Sequence, residues 1–218
     1  MQVATPAKVR RDVTAVLCAL FAICAGCSSS SRSSNAGITP TYDKASGRLT
    51  ELAYDSNHNG KADTWTEMNG PRPLRSRIDR NEDGRIDRWE YYDDRGQLTK
   101  VGFSRHDDGK ADAWAFVGPG GKPQRIEISS AGDEKKIDRW EHYDNDELIS
   151  AEEDTNRDGT VDKWETYEAG ALKTVSFDEN RDGKADRRLT YAAGVLMAIE
   201  TEPDDSGKFK TRVSLQPD

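Results

Sequence analysis

Apolar residues in this chain fall into three regimes. An apolar run, Val13 to Ile23, interrupted only by Thr14, lies close behind Lys8, Arg10 and Arg11, and a Ser-rich stretch over 28–39 follows with no periodicity. From residue 40 onward, apolar and polar positions alternate in short bursts, and the bursts recur. Trp65, Trp89, Trp114, Trp140 and Trp164 stand 24, 25, 26 and 24 residues apart, and Asp63, Asp87, Asp112, Asp138 and Asp162 each precede one of them by two positions. A sixth unit keeps Asp186 but has Arg188 in the Trp place, as a terminal repeat would with no neighbour to cover an apolar residue.

Half of each unit is a hairpin signal: RWEYYDDRGQLTKVGF (88–103), RWEHYDNDELISAEE (139–153) and KWETYEAGALKTVSF (163–177). Alternation with period two on both sides of a turn containing Gly or Asn predicts short antiparallel strands, too short and too aromatic for helices. TYDKASGRLTELAY (41–54) supplies a leading hairpin, and Gly207 sits in a degraded trailing one. The expectation is an all-β repeat protein over 40–218, a meander of six or seven hairpins joined by acidic loops. Tryptophans at one point of every unit form a ladder on one face, serving either as packing between hairpins or as a stacking platform for a glycan or protein. The tyrosine-turn-glycine-leucine hairpins resemble those of MORN-type and tyrosine-aspartate (YD) repeats of bacterial surface proteins.

The other half is acidic: DSNHNGKAD (55–63), DRNEDGRID (79–87), SRHDDGKAD (104–112), DTNRDGTVD (154–162) and DENRDGKAD (178–186). A fourth copy, around Asp133 to Asp138, carries an extra residue and lacks the glycine. Two loops match the calcium pattern D-x-[DN]-x-[DN]-G-x5-E in full. Asp79, Asn81, Asp83, Asp87 and Glu90 occupy positions 1, 3, 5, 9 and 12 of one, and Asp154, Asn156, Asp158, Asp162 and Glu165 those of the other. Arg85 and Thr160, at position 7, would offer a backbone carbonyl. A hard cation of this size takes six to eight oxygens, and the glycine at position 6 permits the sharp turn.

Asp, Asn and Gly also form turns without any ion, but carboxylates gathered at this spacing repel unless a cation joins them. Asp178, Asn180, Asp182 and Asp186 keep the first nine positions and end at Leu189; Asp55, Asn57, Asn59 and Asp63 carry two carboxylates and end at Thr66. Ser104, His106, Asp108 and Asp112 are weaker again, so two to four Ca2+ ions are expected. His58, His106 and His142 fall at unrelated places in the repeat and read as exposed residues, not ligands. Prolines in PRPLRSRI before Asp79 leave no room for a flanking helix. The loops therefore resemble EF-hand-like calcium loops of thrombospondin type 3 repeats and dockerin modules. That resemblance implies calcium-stabilised structure outside the cytosol, with affinity of roughly 10⁻⁴–10⁻³ M.

Composition agrees with such a chain. Hydrophobic residues make up 34% and charged residues 33%, which excludes a large enzyme core, while five Trp, seven Tyr and five Phe exclude a solvated random chain. A net charge of −8 speaks against a nucleic-acid partner. The apolar run near the start is too short to span a bilayer and follows basic residues, as in a secretion signal over 1–26. Its end, Cys24-Ala25-Gly26-Cys27, resembles the lipobox of bacterial lipoproteins, which implies a lipid on Cys27, a tether over 27–39 and a partner in the membrane itself. Ser28 after Cys27 lacks the Asp that resembles an inner-membrane retention signal, so the outer membrane is favoured.

Cys18, Cys24 and Cys27 are the only cysteines, so the mature body has no thiol. It keeps 29 basic and 39 acidic residues, a net charge of −10. Its carboxylates come as copies of one arrangement, not as the unique cluster that catalysis requires. The expected function is a non-enzymatic envelope lipoprotein whose loops bind Ca2+ structurally; the alternative is an adhesion module that binds a glycan or protein on the Trp face.

Overall fold

The computed structural model describes residues 37–215; the expected leader 1–26, Cys27 and most of the tether lie outside them. Fifteen strands form one antiparallel sheet in which hydrogen-bonded neighbours are always neighbours in sequence. They are β1 (Ile38–Tyr42), β2 (Leu49–Tyr54), β3 (Thr64–Asn69), β4 (Arg72–Ile78), β5 (Arg88–Tyr92), β6 (Leu98–Phe103), β7 (Ala113–Val117), β8 (Pro123–Ile128), β9 (Arg139–Asp144), β10 (Glu147–Glu153), β11 (Lys163–Glu168), β12 (Ala171–Phe177), β13 (Arg187–Ala192), β14 (Val195–Pro203) and β15 (Phe209–Ser214). This is the expected meander, open, with β1 and β15 as its edges. It begins inside the expected tether, since Thr39 of β1 already pairs with Ala53.

Tight turns occupy one end of the sheet and acidic loops the other. Asn145–Asp146, Ala169–Gly170 and Ala193–Gly194 each connect paired strands through two residues of positive φ, the type I′ geometry whose twist matches that of the strands. Just inside these turns the register shifts by one, bringing Tyr143, Tyr167 and Tyr191 opposite Leu148, Leu172 and Leu196. The tyrosine-turn-leucine signal thus marks the closed end of each hairpin.

Register places the tryptophans in one continuous cross-strand row: Trp65, Arg77, Trp89, Gly102, Trp114, Glu127, Trp140, Glu152, Trp164, Ser176 and Arg188. Arg188 ends it on Glu200, 2.7 Å away, which also takes Arg212. The ladder exists, but it is not the packed core, because every Trp is only half-buried. Successive residues of a strand point to opposite faces, so the neighbouring row lies on the other side: Ser76, Glu90, Val101, Ala115, Ile126, Glu141, Ala151, Glu165 and Val175. That row is where burial concentrates.

Its core is partly built from charge. Arg88 Nε donates to Glu90 Oε1 at 2.7 Å and the Tyr92 hydroxyl to Glu90 Oε2 at 2.5 Å. Arg139, Glu141 and Tyr143 repeat the arrangement at 3.0 and 2.8 Å. Lys163, Glu165 and Tyr167 repeat it again at 2.8 and 2.7 Å. Basic, acidic and tyrosyl side chains at alternate positions of one strand necessarily share a face. Phe103 and Phe177 extend the row beyond, each under an arginine of a paired strand, Arg88 at 5.3 Å and Arg187 at 4.8 Å.

Candidate functional site

The six acidic loops stand side by side at one end of the sheet, numbered 1 to 6 along the chain: 55–63, 79–87, 104–112, 129–138, 154–162 and 178–186. Backbone hydrogen bonds tie each to the next, because the first residue of a loop donates its N–H to the carbonyl of the last Asp of the preceding loop. Asp79 bonds Asp63, Ser104 bonds Asp87, Ser129 bonds Asp112, Asp154 bonds Asp138 and Asp178 bonds Asp162, all at 2.8 to 2.9 Å. The loops are therefore held in a fixed row by the sheet itself.

Inside each loop the acidic positions have fixed tasks. Carboxylates of Asp55, Asp79, Asp154 and Asp178 accept the N–H of the position-6 glycine at 2.7 to 2.9 Å. The side-chain oxygens of Asn57, Asn81, Asn156 and Asn180 accept the N–H two residues on. Asn59, Asp83, Asp158 and Asp182 do the same for position 7. The last Asp closes the loop by accepting the N–H of position 2: Asp63 from Ser56, Asp87 from Arg80, Asp162 from Thr155 and Asp186 from Glu179. Burial pushes the Asp63 carboxyl upward, but hydrogen bonds from Ser56 and Thr64 outweigh it and hold the pKa below the ordinary carboxylate value. Gly84 and Gly159 have φ of 91° and 94°, a region that side chains resist.

Positions 1, 3, 5 and 9 of loops 1, 2, 5 and 6 share one loop each. Glu90 and Glu165, expected at position 12, are not brought to the loops. Both are buried in the opposite face's central row, bonded to Arg88 and Tyr92 and to Arg139, Lys163 and Tyr167. Period two explains the correction, since a residue three after the last Asp falls on the core side of the strand. What distinguished loops 2 and 5 from loop 6 thus belongs to the sheet. The fourth loop also differs from its expected form: it starts at Ser129 and contains a glycine, Gly132, with φ of 74°.

A further set of contacts escaped the sequence pattern. Position 4 has positive φ in all six loops, at His58, Glu82, Asp107, Gly132, Arg157 and Arg181, and from there most of the side chains reach the preceding loop. Glu82 accepts from Asn57, and from Asn59 at 2.6 Å; Asp107 accepts from Asn81 at 3.2 Å. Arg157 donates to Asp138 at 3.1 Å and Ser130 at 2.7 Å, while Arg181 lies 3.7 Å from Asp158. Loops 1 and 2 so receive an acid from their neighbour, and loops 4 and 5 receive an arginine. The signal was present as a charge at position 4, one repeat after its partner.

One atom stands out against this tally. Asp79 is 5% exposed, its Oδ2 takes the Gly84 N–H across loop 2, and its buried Oδ1 has no hydrogen-bond partner. A buried carboxylate oxygen without a donor is costly unless a cation meets it. Among the described residues, no three His, Cys, Asp or Glu side chains converge closely enough to ligate an ion as they stand, because their oxygens point to backbone N–H groups. Of the histidines, His58 and His106 are exposed in loops, and His142 is half-buried on β9; His106 Nδ1 bonds Asp112.

No helix among the described residues is long and apolar enough to cross a membrane. The chain matches no protein-family model and no curated protein. Among solved structures it is similar to accessory secretory protein 1,2 and 3 of Streptococcus pneumoniae, at 18% identity and a TM-score of 0.37 over 49% of this chain and 19% of that one. TarM is similar over 61% of this chain and 24% of its own, at 9% identity and a TM-score of 0.35. The chain therefore spans a quarter or less of the length of either.

Proposed function

We propose that the chain is a non-enzymatic lipoprotein of the bacterial envelope, anchored in the outer membrane through Cys27, whose row of acidic loops binds Ca2+ to hold the open sheet in one arrangement. The observation that carries this reading is the unpartnered, buried Asp79 Oδ1 in a loop whose residues keep the sequence positions of a calcium loop. Asp79, Asn81, Asp83, the Arg85 carbonyl, Asp87 and the neighbour's Asp107 are all oxygen donors, the set a hard cation takes. An ion there would neutralise like charges that otherwise repel along the whole row. With an affinity of about 10⁻⁴ M in millimolar calcium, each site adds about 1.4 kcal/mol to stability.

Neighbouring charge ranks the loops. Acid reaches loops 1 and 2 from Glu82 and Asp107, whereas an arginine lies against loops 4 and 5, so this reading fills loops 1 and 2 first. Thermal melting of the purified chain with and without calcium tests it: the transition rises in millimolar calcium and falls back on chelation. An unchanged transition would remove the ion from the account.

A further inference from the structure

Units 3 and 4 depart from the repeat together. Gly102 takes a place in the Trp row that elsewhere holds Arg77, Glu127 or Glu152; loop 3 has Ser104 and His106 for Asp and Asn; loop 4 starts at Ser129 and is one residue longer. A groove of about 630 Å³ lies there, walled by Trp89, Tyr91 and Trp114 on the sheet and by Gly109–Ala111 and Gly132–Lys135 of loops 3 and 4. The loops poorest in cation ligands are those that build the groove.

Gly102 makes the arrangement possible. A Cβ there would stand 2.5 Å from Trp114 Cζ3, so the indole can lie across β6 only over a glycine. Tyr91 holds Trp114 at 6.1 Å between ring centroids, tilted by 52°, so the aromatic walls are pre-arranged. Their attraction for cations is already engaged, with Lys100 Nζ 3.8 Å from the centre of the Trp114 ring. Around the groove the charges balance, Lys110 and Lys135 against Asp133 and Glu134. A charged ligand gains little from such a lining. A neutral ligand with a flat C–H face for the rings and hydroxyls for the rim fits both features, and the volume is that of a small-molecule site.

We propose that this groove binds a neutral hexopyranose oligosaccharide, stacked on Trp89, with Trp114 as the wall already covered by Lys100, and hydrogen-bonded by Glu134 and Lys135. The site is independent of the calcium reading. The test is titration of the purified chain, followed by tryptophan fluorescence, with cellohexaose, chitohexaose and maltohexaose as probes. At least one should bind saturably, with Trp89→Ala weakening it by about tenfold or more. Glu134→Ala, an exposed change that leaves the melting transition in place, should weaken it about threefold, the loss of one hydrogen bond. Trp164→Ala, in the same row but outside the groove, should leave binding unchanged. Failure of all three probes to saturate overturns the proposal, as does equal loss in Trp89→Ala and Trp164→Ala. Saturable binding of tetramethylammonium in their place would assign the groove to a cation and overturn it as well.

Discussion

Loops 2 and 5 carry the same ligand pattern and sit at equivalent places of one repeat, yet their surroundings are opposite. In loop 2, Asp79 keeps a buried oxygen without a donor, and the next loop contributes Asp107. In loop 5, Asp154 gives one oxygen to Asp158 N–H and the other to Gly159 N–H, and the next loop contributes Arg181. A motif describes what a loop can offer a cation. The neighbour across the row decides whether that offer is still open, and in a solenoid-like repeat the neighbour lies a whole period away in sequence.

The largest expected effect tests whether position 12 belongs to the ion at all. Glu165→Gln leaves Arg139 and Lys163 short of a buried partner and should cost about 3 kcal/mol, equally in calcium and in chelator. A loss seen only in calcium would return Glu165 to the loop. The same residue sets an acid limit. Burial raises the Glu165 pKa, but Arg139 and Lys163 outweigh it and bring the carboxyl down from 4.5 to about 2. A depressed pKa gives stability that is present in full above pH 4.5 and lost as pH falls toward 2. The melting temperature of the wild type should therefore drop through that window, and Glu165→Gln should flatten the slope. An unchanged slope in the variant would contradict the pairing.

Next comes the direct contrast between the loops. Asp79→Ala should remove the loop 2 share of the calcium-induced rise in melting temperature, about 1–2 kcal/mol, and leave the loop 1 share, whereas Asp154→Ala should leave both. Equal losses would erase the distinction. Smaller still is the effect of the neighbour alone. Asp107→Arg should weaken the calcium response of loop 2 and Arg181→Glu should strengthen that of loop 5, each by about 1 kcal/mol or less at these exposed positions. Two silent exchanges would show that the row of loops does not communicate.

The sequence made the hairpins legible because turn residues, alternation and a Trp every 24 to 26 residues all agree, and nothing in the fold opposes them. It also grouped Asp79, Asn81, Asp83 and Asp87 with their copies, since a nine-residue loop is local. Glu90 and Glu165 were misread because two periods coincide there: the calcium pattern wants an acid at position 12, and the strand wants a partner for Arg88 or Lys163 on its core face. Strand alternation in R-W-E-Y-Y and K-W-E-T-Y held the answer. Glu82 and Arg181 were not legible from any one loop, because their partners lie in the loop before. The tryptophans were placed in their row, but the face that packs could be told only from the charged and small residues opposite them.

Calorimetric titration of calcium into the purified chain, run in parallel on Asp79→Ala and Asp154→Ala, addresses the central claim most directly. Saturable heat in the wild type that loses its loop 2 share, about half, in Asp79→Ala and is kept in Asp154→Ala is the predicted result. Absence of saturable heat at millimolar calcium, or heat that survives both substitutions unchanged, would contradict it.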